Sequence, residues 1–270
     1  MINHQKLFDK YLELLEVEFS SPTFDSLQKI VKSHLIKIPF ENISKLLYKK
    51  RGMNTIPDLS THLDGVENYN FGGTCYTNNY YLYSLLEHLG YEIKLCGADM
   101  KNPDVHLISI VTVDEQEYIV DCGYAAPFFE PLPRNLNEDY TISFGKEKYI
   151  IYPKDKSGRT KVEQYNNGKL QHWYTAKPQP RKIKEFDMVI KNSYADDATF
   201  MNAVRITKFS ENTSLVLKNL SLTETINDKT SITKIPLGNL SSQIKKKFGM
   251  PFEIVKEAID SLRELKDIYD

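Results

Sequence analysis

Apolar residues at helical spacing dominate the first ninety positions. Leu7, Tyr11, Leu14 and Leu15 share one face of a helix that Pro22 ends. Thr23 is placed to cap a second helix, where Leu27, Ile30, Val31, His34 and Leu35 repeat the period. That helix stops at Ile38, because the residue before Pro39 is pushed out of the helical region. A third should begin near Cys75, with Leu82, Leu85, Leu86 and Leu89 as its apolar stripe and Gly90 as its C-terminal cap. From Tyr91 the period changes to that of strands. Glu92–Cys96, His106–Val113, Glu117–Cys122 and Tyr149–Tyr152 read as short strands between polar turns, with patchier ones over Gln171–Tyr174 and Phe186–Ile190. The last third adds strand-like Arg205–Phe209 and Ser214–Leu220. It closes on a helix with Pro251 in its first turn and Ile254, Ala258, Ile259, Leu262 and Leu265 on its buried face. Helices first, strands next and a mixed tail predict an α+β fold rather than a βαβ repeat.

Composition narrows the class. At 270 residues, with 41% hydrophobic and 26% charged positions, the chain can bury a sizeable core in two or three small subdomains. A formal net charge of −1 offers no general attraction to nucleic acid or an anionic membrane, so any anionic ligand must be held by local features. The N-terminal residues lack the basic and apolar regions of a signal peptide, and no apolar run approaches the ~18 residues that span a bilayer. Cys75, Cys96 and Cys122 are too few and odd in number for a disulfide framework, and no CxxC or HExxH spacing suggests a metal site. The expectation is a soluble cytoplasmic protein without a metal.

The chemistry concentrates around Phe71-Gly72-Gly73-Thr74-Cys75. Two glycines let the backbone turn tightly and approach a substrate, and the cysteine that follows opens a helix. The free N–H groups and partial positive charge of a helix N-terminus favour a thiolate and can receive an oxyanion. Taken alone, such a cysteine is more often a small buried hydrophobe. A thiolate nucleophile needs a basic partner and an orienting group. Of six histidines, His34 and His88 sit in helical patterns and His4, His62 and His172 near loops or edges, where a surface or core-satisfied imidazole is the plainer reading. His106 differs by opening a strand whose antiparallel return, Glu117-Tyr-Ile-Val-Asp-Cys122, carries Asp121. An even-numbered turn puts His106 and Asp121 on one face of the sheet. They lie opposite if the turn centres on Val113-Asp114, diagonal if on Asp114-Glu115, and four residues apart if on Glu115-Gln116; spacing leaves the choice open. Lys245-Lys246-Lys247 reads as a solvated helix edge, and Tyr80, Tyr81 and Tyr83 as core and pocket lining, since no basic stripe accompanies them.

These residues together resemble the arylamine N-acetyltransferases. The resemblance rests on Pro39-Phe40-Glu41-Asn42 with His34 before it, on Phe71 through Asn79, on His106-Leu107, and on Val120-Asp121-Cys122-Gly123-Tyr124 followed by Pro131-Leu132. It implies a three-part scaffold: a helical bundle over residues 1–90 carrying the nucleophile, a β-barrel over 91–192 carrying His and Asp, and an α/β lid with a terminal helix over 193–270. It further implies a Cys75–His106–Asp121 triad, as in the cysteine-protease and transglutaminase scaffold. Phe40, Tyr124, Thr74 and Gly123 would face the acceptor, and Gly97–Val105 would border a coenzyme A cleft contacted by Asn102 and Pro103. Acetyl-coenzyme A would be a co-substrate with no cofactor bound permanently, the acceptor a small aromatic amine or hydrazine, and the enzyme a monomer or weak homodimer. Three positions depart from the family pattern: Phe71 replaces an arginine, Thr77 an acidic or amide residue, and Ala125 a glycine. Without that arginine, Glu41 needs another partner or solvent. Two alternatives remain: an amide synthase or hydrolase on the same scaffold, and a degenerate member that binds without turnover.

Overall fold

Five helices form the first third: α1 (His4–Leu15), α2 (Phe24–Lys37), α3 (Ile43–Lys50), α4 (Leu59–Tyr69) and α5 (Cys75–His88), with a two-residue strand, β1 (Phe40–Glu41), between α2 and α3. The computed structural model describes residues 4–260 together with Leu262 and Leu265. The first three residues of the N-terminal reading and the end of the expected tail, 266–270, lie outside the described residues. Local chemistry sets the helix ends. The Thr23 hydroxyl accepts from Ser26 N at 3.3 Å, and Ile38 leaves α2 at φ −111°, ψ 105°, the extended geometry that Pro39 demands. After α5 the chain reverses at Gly90, where φ is +85° and Tyr91 N returns to Leu86 O at 3.1 Å. Leu27, Ile30 and Val31 of α2 meet Leu82, Leu85 and Leu86 of α5 in one buried cluster.

Eight strands follow in one antiparallel, nearly closed barrel-like sheet: β2 (Glu92–Asp99), β3 (His106–Val113), β4 (Gln116–Val120), β5 (Leu132–Pro133), β6 (Tyr140–Phe144), β7 (Glu147–Ile151), β8 (Thr160–Asn166) and β9 (Lys169–Pro180). Their spatial order is β5-β4-β3-β2-β9-β8-β7-β6. Cys96, Ile108, Ile119, Phe128 and Tyr149 fill this sheet's core. The rest of the chain holds α6 (Asp187–Asn192), the strands β10 (Arg205–Ser210), β11 (Thr213–Lys218), β12 (Ser221–Ile226) and β13 (Lys229–Lys234), then α7 (Leu240–Phe248) and α8 (Phe252–Ile259). β1 pairs with β10, Phe40 against Thr207 and Glu41 against Ile206, so the N-terminal segment is stitched into this second sheet. The architecture is α+β, as the order of periodicities predicts.

The β3–β4 turn selects one of the three registers that spacing left open. Asp114 and Glu115 both take positive φ, 49° and 62°, and form a two-residue turn between paired Val113 and Gln116. Ser109 then faces Val120, which makes His106 and Asp121 diagonal neighbours.

Several elements differ from expectation. Phe186–Ile190 is not a strand: a 3-10 turn over Ile183–Phe186 runs into α6. Phe186 and Ile190 are buried at a spacing of four, a helical period too short in sequence to declare itself. The return strand ends at Val120, so Asp121 and Cys122 leave the ladder. The last helix stops at Ile259, and Leu262 and Leu265 pack partly buried on the core without being helical. β12, β13 and α7 carry too many polar positions to read as core elements. Among the described residues no helix is long and apolar enough to cross a membrane, and the three cysteines are buried and free.

Two histidines of the bundle are buried without charge. His34 Nε2 meets the Tyr11 hydroxyl at 3.0 Å, and His62 stacks on Tyr81 with ring centroids 5.0 Å apart. Burial, helped for His34 by the neighbouring His62, lowers His34 to about 3, and burial lowers His62 to about 4. The unfolded chain takes up these protons near the ordinary 6.5, whereas the folded chain refuses them until far lower pH. Stability is therefore fully present above that value and falls on acidification through the window, by roughly 1.4 kcal/mol per pH unit for each imidazole. Urea midpoints measured between about pH 7 and about pH 5 should drop steeply in the parent and less steeply in His62→Gln. An equal slope in the variant would place the acid sensitivity in other groups.

Candidate active site

The hairpin register brings His106, the first residue of β3, against Asp121, the first residue past β4. His106 Nε2 donates to Asp121 Oδ2 at 2.8 Å, with side chains 1% and 0% exposed. A third group locks the pair. Asn79 lies four residues after Cys75 on α5, hence on the same helix face. Its Nδ2 donates to Asp121 Oδ1 at 2.8 Å and to Leu107 O at 2.6 Å, and its Oδ1 accepts from Cys122 N at 2.9 Å. One amide thus staples α5 to β3 and to the segment that follows β4, and Cys75 is among the groups that act on the His106 charge. With Nε2 committed to Asp121, Nδ1 is the ring nitrogen left for the thiol. Burial opposes an imidazolium here. The Asp121 charge and hydrogen bond, with smaller help from Cys75, outweigh it and raise His106 to about 10.

Close backbone approach completes the arrangement. A Cβ on Gly123 would lie 2.6 Å from Cys75 Cα and 2.7 Å from Asn79 Nδ2, so only glycine lets the loop pass under Cys75. The Gly123 N–H also donates to Asp121 Oδ1 at 3.1 Å. Thr74 takes the N-cap position of α5 with no side-chain cap bond, which leaves first-turn N–H groups available to an oxyanion. Tyr76 OH donates to Val105 O at 3.0 Å and pins the residue that precedes His106.

The departures from the family pattern are absorbed locally. Phe71 is buried between Tyr48 and Tyr69, with ring centroids 6.4 Å and 5.4 Å away. Glu41, fully buried, accepts from Ser44 N at 2.9 Å, Ser44 Oγ at 2.5 Å and Gly72 N at 3.1 Å. Burial raises its pKa against the pull of these donors. These donors satisfy the carboxylate without a charged partner, and one of them holds the glycine turn before Cys75. Thr77 is buried beneath Gly73.

Of the remaining expected site residues, Phe40 is buried on β1, bridges to Gly73 and meets Phe200 edge-on at 5.6 Å. The Tyr124 ring lies 5.7 Å from His106 among Phe128 and Tyr174, and its hydroxyl meets His172 Nδ1 at 2.9 Å. Asn102 and Pro103 are exposed on the β2–β3 loop that leads into His106. That loop is braced by ion pairs from Asp104 to Lys177 at 2.5 Å and Arg181 at 3.2 Å. His172 belongs beside Tyr124 rather than at a surface edge; burial, and then the His106 charge, lower it to about 4. Asn79 is the group that sequence reasoning quoted without a role, although its spacing from Cys75 was the available signal. Among the described residues no cluster of three or more His, Cys, Asp or Glu could hold a metal ion.

Comparison with known proteins identifies the family and the fold. The sequence profile of the N-acetyltransferase family matches residues 23–257. The chain belongs to this family. Proansamycin X synthase of Amycolatopsis mediterranei (strain S699) is 28% identical over 175 residues, 60% of this chain and 64% of that protein. The arylamine N-acetyltransferase, pineal gland isozyme NAT-3, of Gallus gallus is 30% identical over 142 residues, 49% of this chain and 48% of that one. The chain therefore spans between about half and two thirds of the length of these curated relatives. The arylamine N-acetyltransferase structure from Mycobacterium abscessus superposes with a TM-score of 0.80 at 15% identity, covering 95% of each chain. That of Mycobacterium marinum in complex with CoA superposes at 0.78 with 18% identity, covering 94% of this chain and 99% of the other. At such identities the structures speak for the fold shared across the family.

Asn79→Ala is expected to lose about 1.5–3 kcal/mol, since it deprives a buried carboxylate, a carbonyl and an N–H of partners at once. Urea unfolding measures this. A loss below about 0.5 kcal/mol, within the usual range for surface substitutions, would mean that the staple is dispensable.

Proposed function

We propose that this family member is an acetyl-coenzyme A-dependent arylamine N-acetyltransferase that works by double displacement through an acetyl thioester on Cys75. The observation that carries the reading is the buried His106–Asp121 hydrogen bond, held against Cys75 by the Asn79 amide. Asp121 fixes the imidazole tautomer and stabilises its cation. His106 takes the Cys75 proton, and the sulfur attacks the acetyl carbonyl. The resulting oxyanion is received at the N-terminus of α5. The carbon–sulfur bond to coenzyme A breaks, and His106 returns a proton to the departing thiolate. An aromatic amine or hydrazine, unprotonated at neutral pH, then attacks the acetyl-enzyme. His106 accepts its proton, and the N-acetyl product and free Cys75 are restored.

In this reading Phe40, Tyr124, Thr74 and Gly123 border the acceptor, and Asn102 and Pro103 contact coenzyme A. Residues 1–90 supply the nucleophile, 91–192 the base and its partner, and 193–270 a cover over them. We place the enzyme in the cytoplasm as a monomer or weak homodimer. A second reading, an amide synthase using another acyl donor, draws support from the likeness to a protein named as a synthase, proansamycin X synthase, whereas Phe71 and Thr77 favour a member that binds without turnover. Competitive inhibition by free coenzyme A favours the transferase; its absence favours the synthase.

Intact mass after brief exposure to acetyl-coenzyme A should rise by one acetyl group in the parent and not in Cys75→Ser. An adduct that persists in the variant would move the nucleophile elsewhere. Asp121→Asn should lower turnover by orders of magnitude, ~10⁴ in the serine-protease precedent, while keeping a cooperative thermal transition. Near-normal turnover in that folded variant would mean that something else orients His106.

A further inference from the structure

Two imidazoles flank the ring of Tyr124, and the mechanism above uses only one of them. Strand alternation along β9 turns Trp173 outward, 36% exposed, and sends His172 and Tyr174 to the opposite face, where Tyr174 is fully buried. On that face the Tyr174 ring lies 5.1 Å from His106 and 4.9 Å from Tyr124, meeting the latter edge-on at 76°. Tyr124, 5.7 Å from His106, is held further by two contacts. Its ring lies nearly parallel to Phe128 at 6.0 Å, and its hydroxyl meets His172 Nδ1 at 2.9 Å. Tyr124 and His172 are both half-buried. Packed among rings, a phenol hydroxyl needs a polar partner, and this imidazole supplies one. The two histidines are driven apart in charge. Against burial, Asp121 holds His106 up at about 10, whereas burial and then the His106 charge lower His172 to about 4. At neutral pH His172 is therefore a hydrogen-bonding group that does not compete with His106 for an acceptor's proton.

We propose that His172 is a positioning residue for acceptor selectivity: through the Tyr124 hydroxyl it fixes the Tyr124 ring as the flat wall on which an aromatic amine lies while its nitrogen faces His106. This role rests on the acyl-transfer reading above, with Tyr124 bordering the acceptor, and belongs to the second half-reaction alone. There the amine nitrogen bonds to the acetyl carbon, the carbon–sulfur bond to Cys75 breaks, and the amine proton passes to His106. Ring packing against Phe128 and Tyr174 tolerates sliding, whereas a hydrogen bond is directional and limits it. A wall already held still costs an incoming ring less order than one the acceptor must arrange for itself. An acceptor without a ring gains nothing from it.

Separate half-reactions make the role measurable. Acetylation of Cys75 by acetyl-coenzyme A, followed by intact mass, involves no acceptor. Loss of the acetyl group to aniline uses the wall, and its loss to hydrazine, which has no ring, does not. His172→Leu should slow transfer to aniline by roughly fivefold to tenfold, the worth of one hydrogen bond, and leave acetylation and transfer to hydrazine at the parent rates. His172→Asn, whose side-chain amide can still reach the Tyr124 hydroxyl, should recover most of the aniline rate. Tyr124→Phe should show the same selective loss, and the double variant with His172→Leu no more than either alone, because both remove one interaction. A loss shared equally by aniline, hydrazine and acetylation would make His172 structural, and an unchanged aniline rate would make the Tyr124 ring independent of it. Either result overturns the proposal. If His172→Leu does not fold, Tyr124→Phe decides alone, and an unselective or absent loss in it is equally fatal. Absence of any acetyl adduct in the parent, read before an acceptor is added, overturns the transfer reading along with it.

Discussion

The hydrogen bond between His106 and Asp121 is the constraint around which the site is arranged. An imidazolium with no solvent contact is tenable only beside an anion, and an anion in such a place needs donors on its other oxygen. Asn79 Nδ2 and Gly123 N supply those donors, so the docking of α5 and the path of the loop after β4 are both tied to that carboxylate. The same tie explains why Gly123 has no room for a side chain. The loop must pass close enough to Cys75 to put its N–H on Asp121, and the helix must come close enough to put Asn79 there too.

What could be read from the chain before folding follows from the range over which each signal operates. α1 and α2 carry helical periods over 12 and 14 residues, long enough for the repeat and the Thr23 cap to be unmistakable. β3 was legible to its ends because an apolar run bounded by polar turns has the length of a strand. Phe186 and Ile190 offered a single helical interval, which a strand reading fits equally well. β13, Lys-Thr-Ser-Ile-Thr-Lys, pairs through its backbone and leaves Ile232 in solvent, so its side chains carry no burial pattern. Cys75, His106 and Asp121 stood out as candidates by their local setting, but spacing left the hairpin register open and only the resemblance to the family singled out the three. Asn79 did not stand out, since an asparagine inside a helix looks ordinary until the hairpin arrives.

With Phe71 rather than a cation before it, the glycine turn finds its rigidity in the Glu41 carboxylate. A buried ion pair requires two desolvated charges in register, whereas Glu41 here uses Ser44 N, Ser44 Oγ and Gly72 N. Two of the three donors come from the start of α3, so the carboxylate also acts as a link between α3 and the Gly72–Gly73 turn. Phe71 meanwhile contributes apolar area between Tyr48 and Tyr69, where a guanidinium would demand acceptors that the rings cannot provide.

The tight reversal at Asp114-Glu115 has a bearing on how the molecule assembles. His106 and Asp121 are only 15 residues apart and are joined by a two-residue turn, so their meeting requires closure of a short loop, which elementary hairpins accomplish in roughly microseconds. Cys75 belongs to a helix that forms on its own schedule and must then find the finished hairpin. His106 and Asp121 can therefore mature as one local unit, while Cys75 joins by docking. Until α5 docks, Cys75 has neither imidazole nor Gly123 beside it, so the order of assembly decides when the three residues first meet.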